Sequence, residues 1–248
     1  MNRLARLFGR KPLLTPKQQQ RLQHWRDLPA PDSDCRDGSI RCIIVDVEST
    51  GPDLSRDSLI AIGALAVVDG SIAPNDAFAV TLRQARPSNT ENILIHGIGA
   101  GEQCGGADPA EAMLGFLEYA GKAPLFAYHA FFDKAMIERA LRRFLGAHLR
   151  SQWIDLAWML PELFREKIDR KATLDEWLAV FDIGSIRRHN ALSDAFATAQ
   201  LLQIALRRAA VSGARSPNQL EEIELRCRHR FGWITAPGMP SERRPGQS

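Results

Sequence analysis

The sequence predicts an α/β domain in which helices flank a mixed β-sheet, with three antiparallel strands followed by parallel ones. Three observations predict this class. Apolar, β-branched runs typical of buried strands dominate residues 40–82. Asp69-Gly70 is a turn signal that joins two of these runs as a hairpin. From about residue 100, helical patterns alternate with short strand-like runs, as in parallel sheets covered by helices.

The individual elements follow in order along the chain. A short helix is predicted around residues 16–27, and a linker rich in proline, aspartate and serine comes after it. The run CIIVDV reads as a buried central strand, which Gly51-Pro52 ends. The predicted strands are 42–47, 59–68, 77–82, 124–128 and 153–156, and the predicted helices after the linker are 109–119, 132–145, 174–180 and 191–208.

We divide the chain into a basic N-terminal arm (1–38), a compact domain (39–210) and a C-terminal extension (211–248) whose tail is expected to be disordered. With 248 residues, 45% of them hydrophobic, the chain can form one domain with appendages. Its start, MNRLARLFGRKPLL, lacks the apolar stretch of a secretory signal, and we interpret it as a surface arm rather than a mitochondrial presequence. The segment LEEIELRCRHRFGWI is expected to pack on the domain or on a partner.

Composition narrows the class of protein. No apolar run approaches the roughly 20 residues of a membrane span, so no membrane association is expected. The net charge of +3 is too small for a dedicated nucleic-acid coat protein. The four cysteines form no CxxC pair and no Cys/His ligand spacing, so we expect neither a disulfide framework nor a zinc site, and a reducing, cytoplasmic location.

Acidic residues in three separated segments are the candidate functional groups. Asp46 and Glu48 lie at i and i+2 near the end of the first strand, so their side chains point to the same face. Asp133 lies where a short strand meets a helix, and Asp194 lies in the helix that begins at Ala191. Carboxylates that converge can hold hard divalent cations. Each acid also has a structural explanation, as a solvated strand end or as a charge that favours a helix N-terminus.

Polar and aromatic residues beside these acids are further candidates. His189 would project from a loop, where a histidine side chain is suited to act as a general base near neutral pH, although most loop histidines are ordinary surface residues. Thr50-Gly51 offers a hydroxyl and a backbone open to close approach by a ligand, or simply a turn. Phe131 and Phe132 could stack on nucleic-acid bases, but burial in the core is the more common role of phenylalanine.

Taken together, the three segments resemble the exonuclease motifs of the DnaQ-like, or DEDDh, superfamily of 3′–5′ exonucleases. They read DVESTG, HAFFD and HNALSD, in the order and spacing of DxExTG, HAxFD and HxAxxD, and the resemblance covers about residues 40–208. The sequence IHGI at 95–98 is similar to the VHGI signature of the proofreading epsilon subunit of bacterial DNA polymerase III. Within the superfamily, the chain most resembles that group.

The resemblance implies an RNase H-like fold and removal of nucleotides from the 3′ end of single-stranded DNA as nucleoside 5′-monophosphates. The implied ligands of two Mg²⁺ or Mn²⁺ ions are Asp46, Glu48, Asp133 and Asp194, and the implied general base is His189. The implied substrate-binding residues are Thr50, Gly51, His96, His129 and Phe132. One departure is that Tyr128-His129 stand where the second motif often has His-Asn, so the substrate contact of that asparagine is not carried over.

Three alternatives stay open at this point. One is an RNA-trimming exonuclease of the same superfamily, similar to RNase T or oligoribonuclease, because the sequence has no evident reader of a 2′-hydroxyl. Another is a non-catalytic nucleic-acid-binding module. A third is a docking subunit whose partner is the catalytic subunit of a DNA polymerase. The expected partners are therefore single-stranded 3′ ends, of DNA first and of RNA second, and a polymerase.

Overall fold

The computed structural model describes residues 12–30, 41–184 and 189–233. The predictions for the start of the arm, the linker and the end of the tail lie outside these residues. The described strands are β1 (Arg41–Ser49), β2 (Leu59–Val68), β3 (Ser71–Thr81), β4 (Leu125–Ala127) and β5 (Trp153–Asp155). The described helices are α1 (Pro16–Asp27), α2 (Thr90–His96), α3 (Ala100–Gly105), α4 (Pro109–Ala120), α5 (Ala130–Leu145), α6 (Leu156–Leu163), α7 (Leu174–Val180), α8 (Ala191–Val211) and α9 (Pro217–Arg230).

The five strands form a mixed sheet in the order β3-β2-β1-β4-β5. The first three pair antiparallel, and β4 joins β1 in parallel and is followed by β5 in parallel. Asp69 and Gly70 both have positive φ, 51° and 72°, as a two-residue hairpin turn requires. The predicted fold class is confirmed. The third strand starts at Ser71 rather than residue 77, because its exposed first half carries polar residues that resemble a loop.

Helices cover both faces of the sheet, and alternation along β1 divides the core between them. Ile43, Val45 and Val47 face α4 and α5, whereas Ile44 faces the side covered by α6 to α9. Asp46 lies two residues beyond Ile44, so it shares the face on which α8 packs. The end of β1 that carries Asp46 therefore lies against the start of α8.

The helices at both ends of the described chain belong to the packed body. In α1, Trp25 is 4% exposed and its indole N–H donates to the Gly121 carbonyl at 2.8 Å. In α9, Leu220, Ile223 and Cys227 are buried against the domain. The sequence predicts that the segment LEEIELRCRHRFGWI packs on the domain or on a partner, and its described part packs on the domain. None of the described helices is long and apolar enough to span a membrane.

Candidate active site

Three of the predicted metal ligands converge at the end of the central strand. Asp46, Glu48 and Asp194 each offer a carboxylate oxygen, and these oxygens lie within 4.8 Å of one another. Asp46 and Glu48 come from one face of β1, and Asp194 comes from the first turn of α8. The predicted convergence of these three acids is therefore observed. A cluster of oxygens at this spacing is suited to a hard divalent cation.

A glycine in the neighbouring strand permits this approach. Gly63 of β2 lies directly opposite Asp46 in the strand register. A Cβ atom at Gly63 would lie 2.2 Å from the Ala191 carbonyl carbon and 2.2 Å from the Leu192 nitrogen, which no real side chain could tolerate. The start of α8 can lie against β2, with Asp194 near Asp46, because residue 63 has no side chain.

Asp133 reaches the strand end from the opposite side of the sheet. It lies in the first turn of α5, which covers the other face, and it does not belong to the three-carboxylate cluster. Its side chain is 5% exposed. Burial raises the pKa of Asp133 well above its usual range, and the charges of Asp155 and Glu48 raise it further, whereas hydrogen bonds from backbone groups oppose the shift. The fourth predicted ligand is thus buried near Glu48.

His189 is exposed and immediately precedes the cap of α8. Its φ of 59° lies in the left-handed region, and its backbone N–H donates to Asp194 Oδ2 at 2.9 Å. Asn190 caps the helix by accepting from the Ser193 N–H at 3.1 Å, as its sequence position predicts. The main chain of the candidate base therefore orients a candidate metal ligand.

The loop after β1 is held in shape by Asp57, an acid that lies outside the three motifs. The Thr50 hydroxyl donates to Asp57 Oδ1 at 2.9 Å and accepts from the Ser58 N–H at 2.9 Å. Gly51 packs so closely that a Cβ atom there would lie 2.5 Å from Asp57 Oδ2. The glycine of the first motif is thus explained by the loop's own packing. The predicted substrate contacts of Thr50 and Gly51 stay predictions.

A second residue outside the motifs holds the same loop from α5. The Arg139 guanidinium donates to the backbone carbonyls of Leu54 and Asp57. This contact connects the loop that follows β1 to the helix that carries Asp133. Nothing in the local sequence around Arg139 signals it, because its partners lie more than 80 residues earlier in the chain.

The backbone of the second motif is hydrogen-bonded to Asp155, a buried residue at the end of β5. His129 is exposed with a φ of 65°, and its N–H donates to Asp155 Oδ1 at 3.0 Å. Histidine tolerates this left-handed conformation better than most residues do. Phe132 packs partly against the core, but Phe131 is 72% exposed, so the core position expected for Phe131 is wrong. Tyr128 is buried, and its hydroxyl donates to the Ala172 carbonyl at 2.6 Å.

Asp155 is held in turn by α9. Glu224 Oε2 accepts from the Asp155 N–H at 2.7 Å, and Glu224 Oε1 accepts from Arg228 at 2.7 Å. Arg228 also approaches Asp155 Oδ2 at 3.4 Å. Burial raises the pKa of Asp155 and of Glu224, and the positive charge of Arg228 opposes that shift for both. This ion network connects the C-terminal helix to the start of α5.

His96 has an inward-facing ring. It is 2% exposed; its Nδ1 accepts from the Ile98 N–H at 2.9 Å, and its Nε2 lies 3.3 Å from the Ser88 hydroxyl. Burial lowers the pKa of His96, which favours the neutral ring that this bonding pattern needs. In this structure the ring connects the two ends of α2, since Ser88 precedes that helix and Ile98 follows it. The predicted contact of His96 with a nucleotide stays a prediction.

A mixed sheet flanked by helices, with carboxylates converging at the end of its central strand, defines the class of RNase H-like nuclease folds. Residues 43–202, well over half of the chain, match the sequence model of the exonuclease family RNase_T. The chain therefore belongs to this exonuclease family of the DnaQ-like superfamily, whose members hydrolyse nucleic acids. The resemblance of the three motifs to this superfamily is confirmed.

Similarities to individual known proteins are consistent with membership of that family. DNA polymerase III PolC-type of Thermotoga petrophila is 26% identical over 159 residues, which are 64% of this chain and 11% of that protein. Exonuclease I of E. coli bound to a dT13 oligonucleotide has a TM-score of 0.57 at 14% identity, covering 69% of this chain and 42% of that one. Exonuclease X bound to 5′-overhanging duplex DNA has a TM-score of 0.56 at 21% identity, covering 74% and 99%. The chain thus spans about a tenth of the PolC-type relative, and the two structures show the shared fold.

Proposed function

We propose that this chain is a metal-dependent 3′–5′ exonuclease that shortens single-stranded DNA and releases nucleoside 5′-monophosphates. The observation that carries the proposal is the cluster of Asp46, Glu48 and Asp194, whose oxygens lie within 4.8 Å of one another. His189 stands beside this cluster on a backbone bonded to Asp194. Negative charge is thus concentrated at one strand end, and the main chain of a histidine lies next to it.

The carboxylates of the site are suited to binding two divalent ions, Mg²⁺ or Mn²⁺. Asp46, Glu48 and Asp194 offer oxygens that hard cations prefer, and Asp133 adds a fourth carboxylate near Glu48. Carboxylates this close to one another repel when ionised, and bound cations would offset that repulsion. When bound, such ions would place Lewis-acid charge beside the scissile phosphate and acidify the attacking water.

The chain's own residues would then position the reactants and move one proton. His189 would accept the proton of the attacking water on its imidazole, because its side chain is exposed and its main chain is fixed against Asp194. Thr50, Gly51 and Phe132 would position the 3′-terminal nucleotide from the loop after β1 and the first turn of α5. His129 would provide a substrate contact in place of the asparagine common in this motif.

Single-stranded DNA is the substrate class that we propose, and a polymerase is the proposed partner. The oligonucleotide-bound neighbour supports the first choice, and the PolC-type relative supports a link to DNA replication, with proofreading as the corresponding role. Buried free thiols at Cys42 and Cys227 suit the reducing cytoplasm expected from the cysteine pattern. RNA trimming stays the alternative, since the described site has no assigned reader of a 2′-hydroxyl.

The proposal is tested by following end-labelled oligonucleotides. A single-stranded DNA carrying a label at its 5′ end should give a ladder of progressively shorter labelled products in Mg²⁺, whereas a 3′ label should be released at once as a mononucleotide. A matched RNA decides between the DNA and RNA alternatives. Cleavage that starts at the 5′ end, or internally, would overturn the proposed polarity.

A further inference from the structure

A groove of about 520 Å³ begins at the loop after β1 and runs along α5. Thr50 and Ser58 line it at the loop, and Met136 and Ala140 line it on the helix. Four of its lining residues are arginines: Arg83, Arg86, Arg139 and Arg143. None of the described residues that line it is acidic. We call this feature the arginine groove.

The arginine groove leads away from the candidate active site along one side of a helix. Met136 and Ala140 lie three and seven residues after Asp133, so all three share a stripe of α5. Arg143 lies ten residues after Asp133, which corresponds to an axial rise of about 15 Å. Thr50 lies two residues after Glu48, at the other end of the groove. A strand whose 3′ end occupies the carboxylate cluster could therefore continue into it.

The four arginines differ in how they are engaged. Arg139 is bonded to backbone carbonyls, and Arg83 pairs with Asp108 at 2.9 Å. Arg86 and Arg143 are exposed, and neither pairs with a carboxylate in the part of the chain that the structure describes. The Arg143 guanidinium lies 5.2 Å from the Phe144 ring centroid. Two cationic groups thus line the groove without an acidic partner there.

We propose that the arginine groove binds the phosphates of the substrate strand on the 5′ side of the nucleotide being removed. The inference rests on the proposed function and adds to it the path of the strand. Guanidinium groups bind phosphate oxygens through paired hydrogen bonds. A guanidinium is also more weakly hydrated than an ammonium, and its binding to phosphates releases counterions from the nucleic acid. The occupant is single-stranded nucleic acid, recognised through its backbone.

The test uses the full chain with both unpaired arginines removed, Arg86→Ala/Arg143→Ala. The matched control is Arg142→Ala/Arg150→Ala, which removes the same charge from exposed residues outside the groove lining. Binding of a labelled single-stranded DNA oligonucleotide is measured in EDTA over a range of salt concentrations. Hydrolysis of p-nitrophenyl thymidine 5′-monophosphate in Mg²⁺ reports on the carboxylate cluster alone, because this ester is too short to reach the groove.

We expect the groove variant to bind about tenfold more weakly at low salt, and the slope of log K against log salt to flatten by about 1.4, or about 0.7 for each lost phosphate contact. Its hydrolysis of the small ester should equal that of the wild type, and the control variant should keep the wild-type slope. An unchanged slope in the groove variant, or an equal change in the control, would overturn the proposal. So would an effect confined to duplex-bearing DNA. If the wild type hydrolyses neither the ester nor DNA, the proposed function itself fails.

Discussion

The backbone N–H of His189 donates to Asp194 Oδ2 over 2.9 Å, so the candidate base and a candidate metal ligand are fixed to each other by one hydrogen bond. His189 holds this position with a φ of 59°, a conformation that is uncommon for residues other than glycine. The bond and the conformation belong to the main chain, whereas the proposed proton transfer belongs to the imidazole. Substitutions can separate these two contributions.

Replacing His189 with glycine or asparagine should remove the base and keep the bond. Both residues retain the N–H and tolerate positive φ, so Asp194 should stay oriented. We expect kcat to fall about 10²–10⁴-fold, the usual contribution of a general base, with Mn²⁺ affinity and thermal stability near those of the wild type. Steady-state kinetics and metal titration check this. Full activity in His189→Gly would remove the imidazole from the proposed chemistry.

Replacing Gly63 with alanine should damage the site from the neighbouring strand. The new Cβ would lie 2.2 Å from backbone atoms of Ala191 and Leu192, so α8 must shift. Overpacking of this kind costs about 1–3 kcal/mol, and the shift should also weaken metal binding by moving Asp194 away from Asp46. Urea unfolding and Mn²⁺ titration measure the two effects. The control is Gly101→Ala in α3, whose Cβ meets no atom within 4 Å; it should leave metal binding unchanged and should not lower stability, since alanine is the better helix former.

Replacing Arg228 with alanine should destabilise the domain through the buried acids Asp155 and Glu224. Arg228 bonds Glu224 at 2.7 Å and is 22% exposed, so its loss leaves two carboxylates without their cation. We expect a loss of about 3 kcal/mol in the free energy of unfolding. Arg226→Ala is the control on the same helix, because Arg226 is 59% exposed and should cost less than about 1 kcal/mol. Equal stability of the two variants would refute the role given to the network.

Much of the fold follows from local sequence pattern. The bounds of β2 and α7 agree with the prediction, and β1 and α8 are each a few residues longer than predicted, because apolar periodicity and Gly, Pro or Asn signals mark these elements. The C-terminal helix α9 is not among the predicted helices, although its signals are present in the sequence. Ser216 and Gln219 form a capping box, and Leu220, Ile223 and Cys227 lie at helical spacing. These signals were obscured by the many charged residues between them.

Some residues of the candidate site could be recognised from local sequence, and others could not. Asp46, Glu48 and Asp194 are marked by their motifs, and Gly63 could have been recognised as a glycine inside a strand pattern, which signals close backbone approach. Asp155 and Arg139 could not have been recognised from the sequence. Their hydrogen-bond partners are distant along the chain and are brought near only by the fold. The inward turn of His96 likewise depends on hydrogen bonds that the IHGI motif does not reveal.

The proposed 3′–5′ cleavage depends on binding of divalent metal by the carboxylate cluster, so metal dependence and loss of the carboxylates are measured together. The shortening rate of a 5′-labelled single-stranded DNA is followed against Mg²⁺ concentration for the wild type, Asp46→Asn and Asp194→Asn, with EDTA as the zero point. We expect saturable, metal-dependent shortening from the 3′ end in the wild type and near-complete loss in both variants, which should remain folded. Wild-type rates in either variant, or cleavage that persists in EDTA, would contradict this dependence.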